Sequence, residues 1–435
     1  MIDRRTLLVA AGTAAMGVAR PQAPAWAGWR VNGDRINGWL KELSRFGANP
    51  GGGVSRTGFS DADVEARRWL MGIMREVGLS PAVDPAGNII ARVDGTEPGL
   101  KPLLFGSHID SVPNGGNYDG DVGSLGAVEV MATLKANGYR HRHPWWVTVW
   151  ADEESGLVGS RGFLGAIPQD ELARTRVKDT VPLGELIRKV GGDPAAMAGY
   201  RQAPGSIAGY VELHIEQGGT LDQADQDIGV VEGIVGILRH EVTITGFANH
   251  AGTTPMAERR NALLAASELT LAVDRIVKRT PGRQVGTVGR LEVKPGAENV
   301  IPGEVQMSIE LRDLDMAKAE RLWGEIETEA NTIMTRQRTT WKAKRRPPNV
   351  AALADPALKS TVAAAAQALG FSQRSMPSGA GHDAQNLARL GPMGMIFVPS
   401  VGGISHAPQE FTEARDVTNG VNLLMQTMLR LDQGP

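Results

Sequence analysis

From Trp29 onward the apolar positions alternate between a helical and a strand period. Between 64 and 77 they fall at Val64, Trp69, Leu70, Ile73 and Val77, the spacing of one helical face. Strands are predicted at 88–93 and 101–105, and a helix at 125–137 that stops at Gly138. The run Trp145-Trp146-Val147-Thr148-Val149-Trp150 reads as a buried strand whose tryptophans belong to the core. This β-α-β alternation implies an α/β fold with a mixed, mostly parallel sheet covered by helices. Near Ile234 the order changes. A strand at 238–245, a helix at 259–278, strands at 284–292 and 305–312, a helix at 316–336 and a strand at 339–344 follow the β-α-β-β-α-β order of ferredoxin-like folds. After Pro347-Pro348 a helix at 356–369 and an apolar strand at 395–398 resume the α/β pattern. The economical organisation is one α/β domain in two pieces, 28–233 and 348–435, interrupted by an inserted α+β domain at 234–347.

Residues 1–27 stand apart. Arg4-Arg5 precede a mild apolar run from Leu7 to Ala19, and Ala25 and Ala27 offer the small side chains of a cleavage site. The segment resembles a twin-arginine export signal, and its apolar run is too short to cross hydrocarbon. That reading places the protein in the periplasm or outside the cell; without a working signal it stays in the cytoplasm.

Composition narrows the chemistry. The 46 basic and 48 acidic side chains nearly cancel, so no strong field draws the chain to nucleic acid or acidic lipid. No other stretch is long enough for a membrane span in the mature protein. The 435 residues include no cysteine, which removes disulfides, thiolate metal sites and cysteine nucleophiles together. Any metal ion must be held by imidazole and carboxylate.

The candidates cluster at strand ends. Leu103 to Asp110 is an apolar strand ending in His108 and Asp110, two residues apart and so on one face. Ligands bind at the carboxyl ends of strands in open α/β sheets. A Gly-rich loop then delivers Asp119 beside Gly120. The strand at 145–150 runs into Asp152-Glu153-Glu154, three adjacent acids that call for a compensating cation. Adjacent glutamates can divide labour, one binding metal and the other receiving a proton from water. His214 and His406 sit at two further strand ends, in a chain with only eight histidines. That concentration points to one shared site. His141, His143 and His240 read as surface histidines, and Asp110 as a residue that orients His108.

Eight segments in order carry a family resemblance: GSHIDSVPNGGNYDG (106–120), DEES (152–155), ELHIEQG (212–218), GFANHAGTTPM (246–256), PGAENVIPG (295–303), ELRD (310–313), SGAGHDA (378–384) and GGISHAP (402–408). The chain resembles the hydantoinase/carbamoylase branch of the M20 metal-dependent amidohydrolases, which includes N-carbamoyl-L-amino-acid hydrolases, beta-ureidopropionases and allantoate amidohydrolases. The resemblance implies a zinc-peptidase-like catalytic domain carrying a dimerisation (lid) insert. It implies two divalent metal ions per subunit, zinc first and manganese, cobalt or nickel also fitting. His108, Asp119 and His214 would hold one; Asp119, Glu154 and His406 would hold the other. Glu153 is implied as general base. His214, where the family's peptidases carry glutamate, points away from peptide substrates.

The remaining assignments also come from the resemblance. His250 reaches the active site of the partner subunit in a homodimer and polarises the scissile carbonyl. Asn299 and Arg312 bind the substrate carboxylate, helped by Gln217 and by the loop containing Gly379 and Gly381; an arginine fork suits that role. His382 stays open between loop support and substrate contact. One departure is the segment Ser155 to Arg161 after Glu154, which looks shortened and leaves the substrate side chain open. The implied reaction cleaves the ureido C–N bond of an N-carbamoyl-L-amino acid to amino acid, carbon dioxide and ammonia. Allantoate amidohydrolase and beta-ureidopropionase are the alternatives within the class, and a non-catalytic periplasmic metal- or ligand-binding protein is the alternative outside it.

Overall fold

A computed structural model describes residues 24–176, 179–347 and 349–434. Most of the export-signal segment therefore lies outside the described residues; of its end, Ala25–Gly28 form a 3-10 turn. Contacts group Val31 onward into one compact unit. None of the described helices is long and apolar enough to cross a membrane.

The unit contains two sheets. The strands, in chain order, are β1 (Pro81–Val83), β2 (Ile89–Val93), β3 (Leu103–His108), β4 (Trp145–Trp150), β5 (Gly209–Ile215), β6 (Ile228–Ile234), β7 (Gly236–Thr245), β8 (Val285–Lys294), β9 (Glu304–Asp313), β10 (Thr340–Arg345), β11 (Ala352–Leu353), β12 (Gln373–Ser378) and β13 (Met393–Val398). The larger sheet runs β1-β2-β4-β3-β5-β13-β6-β11, with β12 also paired to β6. Its centre, β4-β3-β5-β13, is parallel, so the carboxyl ends of these four strands face the same way. Antiparallel strands flank it on both sides. The smaller sheet has the order β10-β7-β9-β8 and is antiparallel throughout. Two helices, Ala262–Arg279 and Met316–Gln337, pack on it around Leu269, Trp323 and Ile326.

Local chemistry explains the element boundaries. The helix expected from Arg259 begins at Ala262, because the Asn261 side chain accepts the amides of Leu263 and Leu264 and starts it there. The helix expected at 125 begins at Asp121 instead. Every residue from Asp121 to Leu134 is buried, so this first turn shows no polar face and no helical period. Gly123 lets the helix sit on β5: a methyl group there would fall 2.1 Å from the Leu213 carbonyl oxygen. Behind the sheet, Trp150, Phe163, Tyr210 and Phe397 belong to one core cluster, where truncating an aromatic ring costs roughly 3–5 kcal/mol.

Two of the supposed surface histidines are buried. His240 lies flat on Trp323, with ring centroids 3.4 Å apart, and His141 packs on Trp145 at 4.8 Å. An imidazole is a flat, largely apolar ring when neutral, and stacking on indole outweighs its hydration. Burial, with a smaller push from Arg345, lowers the His240 pKa to about 4. Only His143 is partly exposed, with its Nδ1 2.7 Å from the Lys101 carbonyl.

Candidate metal centre

Of the four central parallel strands, β3 and β5 carry His108 and His214 themselves, and β4 and β13 deliver the acids and His406 through the segments that follow them. His108 ends β3, and its Nδ1 lies 3.0 Å from the Asp110 carbonyl oxygen, which turns Nε2 toward the site. The Asp110 carboxylate stands 3.7 Å from Nδ1 and is engaged elsewhere: its two oxygens accept the amides of Glu153 and Glu154. Asp110 thus orients His108 through its backbone and fixes the acidic turn through its side chain. After β3 the chain reaches Asp119, whose amide and that of Tyr118 are both accepted by Glu410 at 3.0 Å. Gly120 then turns with φ 67°, and a methyl group at that position would fall 2.4 Å from His108 Cε1. Only glycine meets both demands.

Asp119 is the centre of the cluster. Its Oδ1 lies 3.1 Å from His214 Nε2 and 3.5 Å from His108 Nε2. Its Oδ2 lies 3.3 Å from His406 Nε2 and receives Gln217 Nε2 at 2.6 Å and Ser405 Oγ at 3.1 Å. Glu154 Oε2 is 3.6 Å from His406 Nε2. Asp119 is shared by two groups that could hold a metal ion, His108/Asp119/His214 and Asp119/Glu154/His406, the donor atoms of each within 4.8 Å of one another; Glu212, His214 and His382 form a third such group. Glu153, buried with Oε2 3.9 Å from His108 Nε2, belongs to none of them.

Charge balance shows what this cluster needs. Of the three adjacent acids, Asp152 is bonded by Arg176 at 2.5 Å, a partner 24 residues downstream that no local pattern announced. Among the described residues Glu153 and Glu154 face imidazoles, His108 and His406, and no guanidinium. Burial pushes Glu153 well above the usual carboxylate range, and burial together with Asp119 raises Glu154 to about 7. Asp119 goes the other way: burial opposes ionisation, but His214, His108 and His406 outweigh it and hold the group well below the usual range. The hydrogen bond to Asp119 lifts His406 to about 9, against burial and with help from Glu154. Burial works against protonating His108, yet Glu153, Asp119 and Asp110 raise it well above its ordinary value. Imidazole and carboxylate thus favour each other's charged form at Asp119, His108 and His406, and a divalent cation would supply the same compensation in place of the protons. His108 Nε2 is buried with no hydrogen-bond partner among the described residues. An orphaned imidazole nitrogen inside a ring of carboxylates fits a divalent cation, and the nitrogen and oxygen donors suit zinc and its first-row neighbours.

A cavity of about 580 Å³ opens beside His406 and is lined also by Gln217, Arg312, Gly379 and Ser405. Arg312, on β9 of the smaller sheet, donates from Nη1 to the Gly379 carbonyl at 2.7 Å and from Nε to Glu310 at 2.6 Å. Gly381 is exposed and is not part of that lining. His382 is buried, with Nε2 2.9 Å from Ser378 Oγ and its ring 4.5 Å from that of His214, so it packs against His214 away from the cavity lining. No residue of the Ser155–Arg161 segment lines the cavity. His250 and Asn299 are not brought to the cluster within the chain. They lie together on the exposed side of the smaller sheet, where Ala251 donates to the Asn299 carbonyl at 2.9 Å. The His250 Nδ1 accepts the amides of Gly252 and Thr253, which leaves Nε2 facing outward. No local pattern marks Arg176, Arg283, Arg374 or Glu410: Arg176 reaches Asp152, Arg283 reaches Glu232 and Glu410 reaches Tyr118 and Asp119 only across the fold, and Arg374 joins the cavity through β12.

The profile of peptidase family M20/M25/M40 matches residues 104–430. An N-carbamoyl-L-amino acid amidohydrolase of Geobacillus stearothermophilus is 38% identical over 409 residues, spanning 93% of this chain and 100% of that protein. A ureidoglycolate hydrolase of Arabidopsis thaliana is 36% identical over 421 residues, spanning 92% of this chain and 87% of that one. Among solved structures, a hydantoinase/carbamoylase family amidase from Burkholderia multivorans superposes with a TM-score of 0.86 at 34% identity, over 93% of this chain and 99% of that one. With the family profile covering residues 104–430 and these relatives spanning nearly its whole length, the chain belongs to the M20/M25/M40 peptidase family, in its hydantoinase/carbamoylase branch.

Proposed function

We propose that the protein hydrolyses the ureido C–N bond of an N-carbamoyl-L-amino acid or a closely related ureido acid, using two divalent cations per subunit, zinc first. The observation that carries this is the division of Asp119, one oxygen toward His108 and His214 and the other toward His406, with Glu153 left outside both triads. Bound cations would supply Lewis acidity to the attacking water and to the scissile carbonyl. The chain's residues do the rest. Glu153, buried and held well above the usual carboxylate range by that burial, takes a proton from the water and returns it to the leaving amine. Arg312 and Gln217 offer a guanidinium fork and an amide to the substrate carboxylate, which holds the ureido carbon in place. Water adds to that carbon, the C–N bond to the amino acid breaks, and the released carbamate decays to carbon dioxide and ammonia.

His250 and Asn299 enter through a second copy of the chain. The edge strand β8 and the adjacent helix leave Val285, Leu264 and Leu271 exposed, Leu271 at 70%, an apolar face suited to pairing two copies. In such a dimer His250 Nε2 would donate to the developing oxyanion in the partner's site. The reading is tested by metal-reconstituted protein and a panel of N-carbamoyl-L-amino acids, N-carbamoyl-β-alanine and allantoate. Turnover of the first group is expected; preference for one of the others would rename the substrate, and no ureido turnover at all rejects the proposal.

A further inference from the structure

The cavity beside His406 carries more positive charge than one substrate carboxylate requires. Arg283, Arg312 and Arg374 all line it, against a single carboxylate, Glu216. That carboxylate is already engaged: its oxygens accept the amides of Thr220 and Leu221 at 2.8 and 2.7 Å. Arg312 is tied to Glu310 and to the Gly379 carbonyl, and Arg283 is paired with Glu232. Arg374 is different. It stands on β12 and is exposed, and among the described residues it forms no hydrogen bond or ion pair. The apolar lining amounts to Met376, Pro377 and Ala380, too little to desolvate a large hydrocarbon side chain. β12 carries Arg374 and runs on into the loop whose Gly379 carbonyl accepts Arg312 of β9, so the two cationic groups are tied to one loop.

We propose that Arg374, with Arg283 lining the same cavity, binds a second carboxylate, so that the preferred substrates are ureido acids with an acidic side chain. A free guanidinium in a cleft offers two parallel donors to a carboxylate, and shared field from its neighbours strengthens the contact. The inference rests on the ureido-hydrolase reading and narrows it to ureido dicarboxylates.

The test compares kcat/KM for N-carbamoyl-L-glutamate and N-carbamoyl-L-aspartate with that for their isosteric amides, N-carbamoyl-L-glutamine and N-carbamoyl-L-asparagine. Size is matched, so the acid-to-amide ratio reads charge alone. In the metal-reconstituted protein that ratio is expected at about 10 or above. R374Q lowers it by roughly 10- to 100-fold, mainly through KM for the acids, and R374K keeps part of it. A ratio near one in the unmodified protein, with the amides turned over, overturns this inference and leaves ureido hydrolysis standing. An unchanged ratio in R374Q overturns the role of Arg374. Turnover of none of the four overturns this inference, and ureido hydrolysis falls with it only if apolar N-carbamoyl-L-amino acids, N-carbamoyl-β-alanine and allantoate are not turned over either.

Discussion

The carboxylate of Asp110 accepts the backbone amide of Glu153 at 3.1 Å, and its second oxygen accepts that of Glu154 at 3.2 Å. Its own carbonyl meanwhile faces His108 Nδ1 at 3.0 Å. One residue therefore sets the position of two metal-ligand candidates and the proposed base. Asp110→Asn keeps the size but turns an NH2 toward one of the two amides. We expect kcat to fall about 10- to 100-fold with KM little changed, the size of effect seen when a ligand's supporting partner is lost. Steady-state kinetics with metal content measured by elemental analysis decides it, and an unchanged kcat would show that the turn holds without this carboxylate.

Gly120 joins Asp119 to the helix Asp121–Ala136 in a left-handed conformation, with no room for a side chain against His108. Gly120→Ala has to displace the His108 ring or shift the turn. A loss of about 1–3 kcal/mol in unfolding free energy is expected, together with lower metal occupancy. Urea unfolding of metal-loaded and chelated samples separates the two effects: the variant's deficit should be larger in the loaded protein, where His108 must stand in place.

The placement of His250 outside its own chain's cluster makes a prediction about mixed dimers. Glu153→Gln and His250→Ala are each expected to lower kcat by roughly 100-fold or more as pure proteins. In a heterodimer of the two, one site would combine both defects and the other would be free of both. Coexpressed, differently tagged chains purified as the heterodimer should recover about half the specific activity of the unmodified enzyme. Recovery no better than that of the pure variants would mean that His250 serves its own subunit or none.

His240 predicts an acid-sensitive term in stability. Its pKa falls from an ordinary value of 6.5 to about 4 in the folded chain, because burial against Trp323 disfavours the charged ring. Between those values the unfolded chain binds the proton and the folded one does not, so this contribution is complete above pH 6.5 and is lost as pH falls toward 4. His240→Phe keeps a flat ring on Trp323 and removes the titration. From pH 7.5 to pH 4.5 the unmodified protein should lose more stability than the variant, read as the shift in urea midpoint; parallel losses would count against it.

How much of this was written in the chain differs from element to element. The strands carrying His108, Asp152 to Glu154 and His214 are runs of apolar residues that stop abruptly at polar ones, and such edges are local. So is the order of elements in the smaller sheet. The first turn of the helix after Asp119 was not legible, because a helix buried on all sides has no polar face to mark its period. His141 and His240 were misplaced for a related reason: an imidazole carries no local sign of the indole it will meet.

The sequence by itself determined which residue types stand at strand ends, and with no cysteine in the chain it confined any metal to imidazole and carboxylate. Tertiary structure alone decided how they share the work. β13 comes to lie beside β5 after more than 150 intervening residues, and only that pairing brings the loop with His406 to the second oxygen of Asp119. The same long-range closure gives Arg176 to Asp152, sets His382 behind His214, and gathers Arg283, Arg312 and Arg374 around one cavity. Which oxygen faces which imidazole, and which arginine keeps its charge free, depends on packing between segments that share no local pattern.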